Sequence, residues 1–178
     1  MIDRFAFYEW AYGDHLSNAN RGVLAEFIVR SVLDCPAEVR SEWDACDLKT
    51  ADGLRIEVKS GAYLQSWNQA KPSVIRFDIG RKRGWDAATN EYSEFPARTA
   101  QVYVFCLFVT KDRDGANPLD VSQWRFLVLA TALMNERLPE WKSVGARTLE
   151  KLGTWTCYAE LRCAIDLASM PRGHPPLP

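Results

Sequence analysis

The chain has 178 residues, of which 47% are hydrophobic and 25% are charged, and its formal net charge at pH 7 is -1. This length and apolar content predict one globular domain over residues 1–170 and exclude a disordered chain. The longest strongly apolar run, residues 99–110, is too short to cross a bilayer as a helix, and the N-terminal residues lack the layout of a signal peptide. We therefore expect a cytoplasmic protein outside the membrane, with a disordered Pro-rich tail at residues 171–178.

Cysteine and histidine are used in a way that excludes the common metal and disulfide frameworks. The five cysteines include no Cys-x-x-Cys pair, and the two histidines are His15 and His174, the latter in the Pro-rich tail. A zinc site, a disulfide framework and a histidine-based catalytic cluster are therefore not expected. Chemistry at a site in this chain must depend on carboxylates and lysine.

The first predicted element is a helix over residues 20–33, which Asn18 or Asn20 can cap. Its apolar residues recur at helical spacing and cover most of its circumference: Leu24, Ala25, Phe27, Ile28, Val29, Val32 and Leu33. A helix that is apolar nearly all round is buried, so Glu26 is expected to be partly desolvated and to need a partner. Arg30, one turn later, is one candidate partner, and a metal ion is the other.

The next element is a hairpin, predicted by Asp52-Gly53 between two strand-like runs. If only these two residues form the loop, Asp47 pairs with Val58, and Asp47 and Glu57 fall on opposite faces of the sheet. If Ala51 joins the loop, with the glycine in the left-handed conformation, Asp47 lies directly opposite Glu57. The register of this hairpin therefore decides whether the two acids meet.

We favour the three-residue loop because of the side chains that it places on each face. Leu54, Ile56 and Val58 then share a face that is suited to burial, while Glu57 and Lys59 share the other. Opposed residues have Cβ atoms roughly 5 Å apart, and like charges at that distance destabilise a sheet unless a cation lies between them. A divalent metal would supply that cation, whereas an ordinary charged hairpin with Lys59 paired to Glu57 is the alternative.

The later elements complete a mixed pattern. The sequence predicts strands at residues 73–79, 102–109 and 124–130, a polar loop at 80–97, and helices at 148–152 and 158–169. Residues 102–109 are nearly all apolar strand formers, as expected of a strand covered on both faces. The fold class predicted from this order is α/β, or α+β-like, with a central mixed β-sheet flanked by helices.

A basic segment follows the hairpin. It contains five basic residues and one acid: Lys71, Arg76, Arg81, Lys82, Arg83 and Asp78. Trp67 and Trp85 flank it. Two interpretations stay open, a phosphate-binding rim with stacking aromatic rings or a solvated turn with tryptophans in the core.

The spacing of the hairpin residues resembles that of a known nuclease family. Asp47, nine intervening residues and then Glu57-Val58-Lys59 are similar to the signature of the PD-(D/E)XK nuclease superfamily, which includes restriction endonucleases, Holliday-junction resolvases and repair exonucleases. The helix that carries Glu26 matches the helix that precedes the hairpin in that family. Cys46 stands where the proline of the signature would be, which is a departure from the pattern.

The resemblance implies a restriction endonuclease-like core and a metal-dependent deoxyribonuclease. By that resemblance, Asp47, Glu57 and the carbonyl of Val58 hold Mg²⁺, for which Mn²⁺ can substitute, and Lys59 orients the attacking water. It also implies that Glu26 supports the metal site. A glutamine after the Glu-x-Lys strand has a supporting role in several branches of the family.

Gln65 is the glutamine that we assign to this supporting role, on a short helix predicted over residues 62–70. The expected partner of the protein is nucleic acid, most specifically DNA, and whether the chain cuts as a homodimer stays open. The alternatives are a catalytically silent module with the same fold, which uses a surface rich in the seven tryptophans to bind protein or nucleic acid, and a nuclease that acts on RNA.

Overall fold

The computed structural model describes residues 1–37, 39–40, 45–86 and 90–171. Its helices are α1 (Arg4–Tyr12), α2 (Asn18–Arg30), α3 (Thr131–Arg137), α4 (Ala146–Leu149) and α5 (Leu161–Ser169). Its strands are β1 (Leu48–Lys49), β2 (Arg55–Ala62), β3 (Arg76–Asp78), β4 (Trp85–Asp86), β5 (Glu91–Tyr92), β6 (Val102–Phe108), β7 (Trp124–Ala130) and β8 (Ser143–Gly145). Short 3₁₀ turns at Val121–Gln123 and Tyr158–Glu160 precede β7 and α5.

The central sheet has four strands in the order β1-β2-β6-β7. Strands β2 and β6 are parallel, whereas β1 and β7 run antiparallel to their neighbours. The described part of the chain is therefore a mixed α/β structure with a four-stranded mixed sheet and five helices, which confirms the predicted fold class at that level. Within the described residues, no helix is long and apolar enough to cross a bilayer. The predicted tail, apart from residue 171, lies outside the described residues.

Helices α2 and α5 cover one face of the sheet. Their buried side chains pack against alternate residues of the strands: Ala25, Ile28, Val29, Leu161 and Ile165 from the helices, and Ile56, Val58, Val104, Cys106 and Phe126 from the sheet. All seven residues of β6 are buried, so the prediction of a strand covered on both faces is confirmed. The bounds predicted for β7 are those observed.

A two-stranded ribbon of β3 and β8, together with α3 and α4, covers the opposite face. Phe77 of the ribbon lies over Phe105 with ring centroids 5.2 Å apart. A Cβ atom added at Gly61 would lie 2.9 Å from the Phe77 ring, so only glycine allows this close approach. The ribbon thus covers the C-terminal half of β2, while Glu57 and Lys59, nearer its start, line a cavity on the same face.

A buried arginine ties the ribbon side of the molecule together. The guanidinium of Arg98 donates hydrogen bonds to the carbonyls of Ile79, Leu138 and Trp141 and to the side-chain oxygen of Asn135. Buried charge is tolerated where every donor has a partner, as three nitrogens do here. These bonds fix the chain after β3, which forms one side of the cavity.

Three predictions about helices are wrong. Helix α2 begins at Asn18, with Ser17 at the N-cap position, so neither Asn18 nor Asn20 caps it. It is buried on one side only, and Phe27 is 61% exposed, because the helix packs against a single face of the sheet. No helix forms over residues 62–70, where side-chain amides of Gln65 and Gln69 bind Ser73 and nearby carbonyls instead.

Three other predicted elements form but differ at their ends. The strand predicted at 73–79 is the shorter β3, and the helix predicted at 148–152 is α4, which begins and ends earlier. The helix predicted from residue 158 starts as a 3₁₀ turn and continues as α5. The segment predicted as a polar loop, 80–97, contains the two-stranded hairpin of β4 and β5.

Candidate active site

The hairpin register is the one that opposes the two acids. Leu48 pairs with Ile56 and Lys49 with Arg55, and the Thr50 N–H donates to the Leu54 carbonyl over 3.0 Å. Gly53 has a φ of 89°, the left-handed conformation that glycine adopts at least cost. The three-residue loop is therefore confirmed, and continuing the same pairing by one residue sets Asp47 against Glu57.

Just before β1 begins, the side chain of Asp47, and not its backbone, bonds to strand β2. Its Oδ2 accepts a hydrogen bond of 2.7 Å from the N–H of Val58. A residue in an antiparallel pair presents its N–H and C=O to the same neighbour, so the Val58 carbonyl is directed to the side on which Asp47 lies. The Thr99 hydroxyl donates to the Ala45 carbonyl and anchors the segment that leads into Asp47.

Glu57 and Lys59 form an ion pair on the cavity face of β2. The Lys59 Nζ lies 2.6 Å from the Glu57 Oε1, and the two side chains are only 17% and 16% exposed. The pairing that a simple charged hairpin would show is thus present, but in a partly buried cleft beside a second carboxylate. One ammonium therefore faces two carboxylates, and the cluster carries a net negative charge when all three groups are ionised.

This arrangement raises the pKa of Asp47 to about 6, through burial first and the neighbouring Glu57 carboxylate second. The Val58 N–H and the Lys59 ammonium act in the opposite direction without cancelling the rise. Like charges held close in a partly dry site favour either a proton or a bound cation. The site therefore favours additional positive charge, because the single Lys59 ammonium neutralises only one of the two carboxylates.

The donor set suits a hard divalent cation. No group of three or more His, Cys, Asp and Glu side chains capable of holding a metal occurs among the described residues. The oxygens available here are two carboxylates and the Val58 carbonyl. Mg²⁺ is commonly held by one or two carboxylates and completes its shell with water and substrate phosphate, so this small set fits that ion.

The acids open onto a cavity of about 590 Å³. Its walls also carry Asp78, Lys82 and Arg83 of the basic segment and the flanking Trp85, together with three residues that the sequence did not identify as part of a site: Tyr92, Thr99 and Tyr103. Tyr103 is the β6 partner of Glu57, and burial followed by the Glu57 charge raises the pKa of its hydroxyl. The basic segment and Trp85 therefore contribute to the cavity wall, and Trp67 is 58% exposed, so the interpretation with tryptophans in the core is wrong for these two residues.

Glu26 lies beside this site but is held by a different cation from the one expected. Its two carboxylate oxygens accept hydrogen bonds of 2.5 and 2.8 Å from Arg40, whereas Arg30 donates to the Pro36 carbonyl. The Glu26 charge is close enough to Asp47 to contribute to the rise in its pKa. Both acids line a second groove, of about 770 Å³, so the structure brings Glu26 to the far side of Asp47.

Gln65 is placed away from the acids. It is buried, its Nε2 donates to the Ala62 carbonyl and to Ser73 Oγ, and it is not among the described residues that line the 590 Å³ cavity. The predicted helix that was to carry it is absent because the amide holds an irregular loop. The structure therefore brings Asp47, Glu57, Lys59 and Val58 together, with Glu26 adjacent, and leaves Gln65 outside.

Comparison with known proteins adds no assignment. No family model matches this chain, and a search of curated proteins gives no match.

Replacement of Asp47 by asparagine is expected to stabilise the metal-free protein at neutral pH. The pKa of Asp47, about 6 in the folded chain against an ordinary 3.8, means that the folded state binds more protons than the unfolded state between those values. The free energy of unfolding should consequently fall as the pH rises from about 4 to about 6, by on the order of 1–3 kcal/mol. Asparagine removes the charge and keeps an oxygen for the Val58 N–H.

Urea unfolding of wild type and Asp47→Asn in EDTA, between pH 4 and 8, measures this effect. The two curves should agree near pH 4, separate between about pH 4 and 6 and stay apart above that, with the variant the more stable. Asp112→Asn, at an exposed position, is the matched control and should follow wild type. Equal stabilities of wild type and Asp47→Asn at pH 7 would contradict the expected strain between the two acids.

Proposed function

We propose that this chain is a metal-dependent deoxyribonuclease with a restriction endonuclease-like core. The observation that carries the proposal is the juxtaposition of Asp47, Glu57 and Lys59 at one end of a hairpin, in a partly buried cavity. Asp47 and Glu57, with the Val58 carbonyl, would hold Mg²⁺ or Mn²⁺. An ordinary surface ion pair does not need a second carboxylate opposite the first in a cleft. Two opposed carboxylates destabilise the protein unless a cation lies between them, so their presence favours a binding site.

The chemistry follows from the groups present. A divalent metal bound by the two acids would lower the pKa of a coordinated water and neutralise charge on the phosphate in the transition state. Asp47 is mostly ionised at pH 7, since its pKa is about 6, and is then able to bind a cation. Lys59 carries donors that can orient the attacking water and a charge that stabilises the developing phosphate charge.

The surroundings of the acids also favour a phosphate-bearing substrate. Lys82 and Arg83 line the same cavity and come from the basic segment after β3. Lys82 is ion-paired to Asp78 at 3.2 Å on an exposed surface, an interaction that a phosphate can displace at small cost. Basic residues therefore lie beside the acids although the formal net charge of the whole chain is -1.

Two measurements on the wild-type protein test this proposal. Calorimetric titration with Mg²⁺ or Mn²⁺ should show a bound divalent ion, and plasmid, linear, branched and single-stranded DNA should be cleaved with the metal and not in EDTA. Binding of neither ion, together with no cleavage of any of these DNAs, would overturn the assignment. Cleavage of RNA in preference to DNA would replace it with a ribonuclease.

A second candidate is a catalytically silent module of the same fold that binds a partner. It is favoured by helix α1, where no residue is buried and the aromatic side chains of Phe5 and Trp10 are exposed. Exposed aromatic residues are enriched in interfaces. The metal titration separates the two candidates, because a silent module has no reason to hold a divalent ion between Asp47 and Glu57.

A further inference from the structure

The cavity beside the acids has an aromatic wall that metal binding and hydrolysis do not require. Trp85 and Tyr92 are direct partners across the β4–β5 hairpin, so their side chains share one face of it, and both line the cavity. The Trp85 indole N–H donates to the Asn90 side-chain oxygen over 3.3 Å. That bond restrains the Trp85 ring at its edge. Tyr92 is 69% exposed, so its ring is accessible to a ligand.

Cationic groups lie on the same rim. Lys82 and Arg83 immediately precede the hairpin and line the cavity together with the acids. Arg83 donates to the Glu94 carbonyl over 2.7 Å, which fixes the side chain beside the hairpin. An aromatic wall, a basic rim and a carboxylate pair therefore occur in one cleft, and each suits a different part of a nucleotide: the base, the phosphate and the metal-bound scissile group.

The size and shape of this cleft restrict what can use it. A volume of about 590 Å³ is within the range of pockets that enclose a small organic ligand. Base faces inside a duplex are covered by their neighbours, so an aromatic wall can stack only on a base that is unpaired and splayed out. Stacking on such walls tolerates any base, and it is the usual way in which single strands are held.

We propose that this cavity binds an unpaired nucleotide of a DNA strand, with its base against Trp85 and Tyr92 and its phosphates at Lys82 and Arg83. The preferred substrate is then single-stranded DNA or the single-stranded part of a branched or frayed DNA. The preference for cleaving such DNA rests on the proposed nuclease function. Binding of the nucleotide does not, so the two can fail separately.

Fluorescence anisotropy of a labelled DNA oligonucleotide, single-stranded or in a blunt duplex, tests the proposal. The measurements are made with Ca²⁺, and the integrity of the DNA is checked on a gel. Wild type should bind the single strand at least about tenfold more tightly than the duplex, and Trp85→Ala should weaken single-strand binding roughly 5- to 150-fold. Trp85→Phe should retain most of the affinity, because it keeps a stacking face.

Two further variants test whether a loss of binding reflects a loss of the fold. Tyr92→Ala, at an exposed position, should also weaken single-strand binding while the thermal midpoint stays near that of wild type. Trp67→Ala removes an exposed tryptophan outside the cavity and should bind as wild type does. Equal affinity for single strand and duplex, or unchanged binding by both Trp85→Ala and Tyr92→Ala, would overturn the proposal, as would tighter binding of RNA than of DNA of the same sequence.

Cleavage assays separate this proposal from the nuclease assignment. Wild type that binds single strands through Trp85 but cuts no DNA would remove the proposed function and leave the nucleotide site. Metal-dependent cleavage that is equally fast on duplex and single strand, and unaffected by Trp85→Ala, would leave the nuclease and overturn the proposed preference for single-stranded substrates.

Discussion

Glu57→Gln is expected to lower the proposed metal-dependent DNA cleavage by about 10³-fold, because it removes one of the two carboxylates proposed to hold the cation and with it several kcal/mol of transition-state stabilisation. Glutamine has the shape of glutamate, and its oxygen can still accept the hydrogen bond from Lys59. The fold should therefore persist while Mg²⁺ affinity drops. Initial cleavage rates at saturating Mg²⁺, calorimetry and a thermal unfolding curve measure the three effects.

The matched control for this substitution is Glu136→Gln. Glu136 lies on α3 in an exposed ion pair with Arg137, so its loss changes the net charge by the same amount without touching the cavity. Its cleavage rate and metal affinity should match those of wild type. Cleavage by Glu57→Gln at the wild-type rate would remove the proposed metal site, whatever activity the protein retained.

The part of the site that follows from the sequence is the part set by local rules. Side-chain alternation along both strands and the conformational demand of a loop that ends in Gly53 together favour one register, because only that register sets Leu48 beside Ile56 on the buried face and opposes Asp47 to Glu57. The register expected from the sequence is then the one that the structure shows. Strand β6 is also predictable, since a run with no polar face can be covered only on both sides.

The cavity walls do not follow from local rules, because distant segments build them. Strand β3 is held in place by β8, more than sixty residues later in the chain, and by hydrogen bonds of Arg98 to Ile79 and to the segment after α3. Trp85 becomes a site residue only once this packing sets the β4–β5 hairpin beside the acids. Its position beside basic residues was consistent with a phosphate-binding rim, but a solvated turn would show the same pattern.

Glu26 shows how a local rule can select the wrong partner. Helical spacing predicts Arg30 as the partner of Glu26. However, α2 ends at Arg30, whose guanidinium donates to the Pro36 carbonyl. Arg40, later in the chain, binds Glu26 through two nitrogens instead. A bidentate guanidinium pair has better geometry than an exposed pair on one helix. Gln65 is a related case, since an amide able to bind carbonyls stabilises a loop where spacing predicted a helix.

Lys59→Met is expected to separate metal binding from catalysis. Because the Lys59 ammonium lies 2.6 Å from the Glu57 carboxylate, it competes with a cation for that oxygen. Methionine keeps most of the apolar stem and removes the charge, so Mg²⁺ should bind more tightly than in wild type. Cleavage should nevertheless fall by about 10²- to 10³-fold, since the group proposed to stabilise developing charge is lost. Calorimetry and cleavage rates at saturating Mg²⁺ test both halves.

The opposite signs of these two effects distinguish a catalytic lysine from a structural one. If Lys59 only held the hairpin together, its loss would weaken metal binding, cleavage and thermal stability in parallel. Lys151→Met, at an exposed position, is the matched control and should leave all three unchanged. Lys59→Arg should not restore full activity, because a planar guanidinium cannot place its donors where the compact ammonium does. Full cleavage by Lys59→Met with Mg²⁺ bound would reduce Lys59 to a counterion of Glu57 and require another group to assist the attacking water.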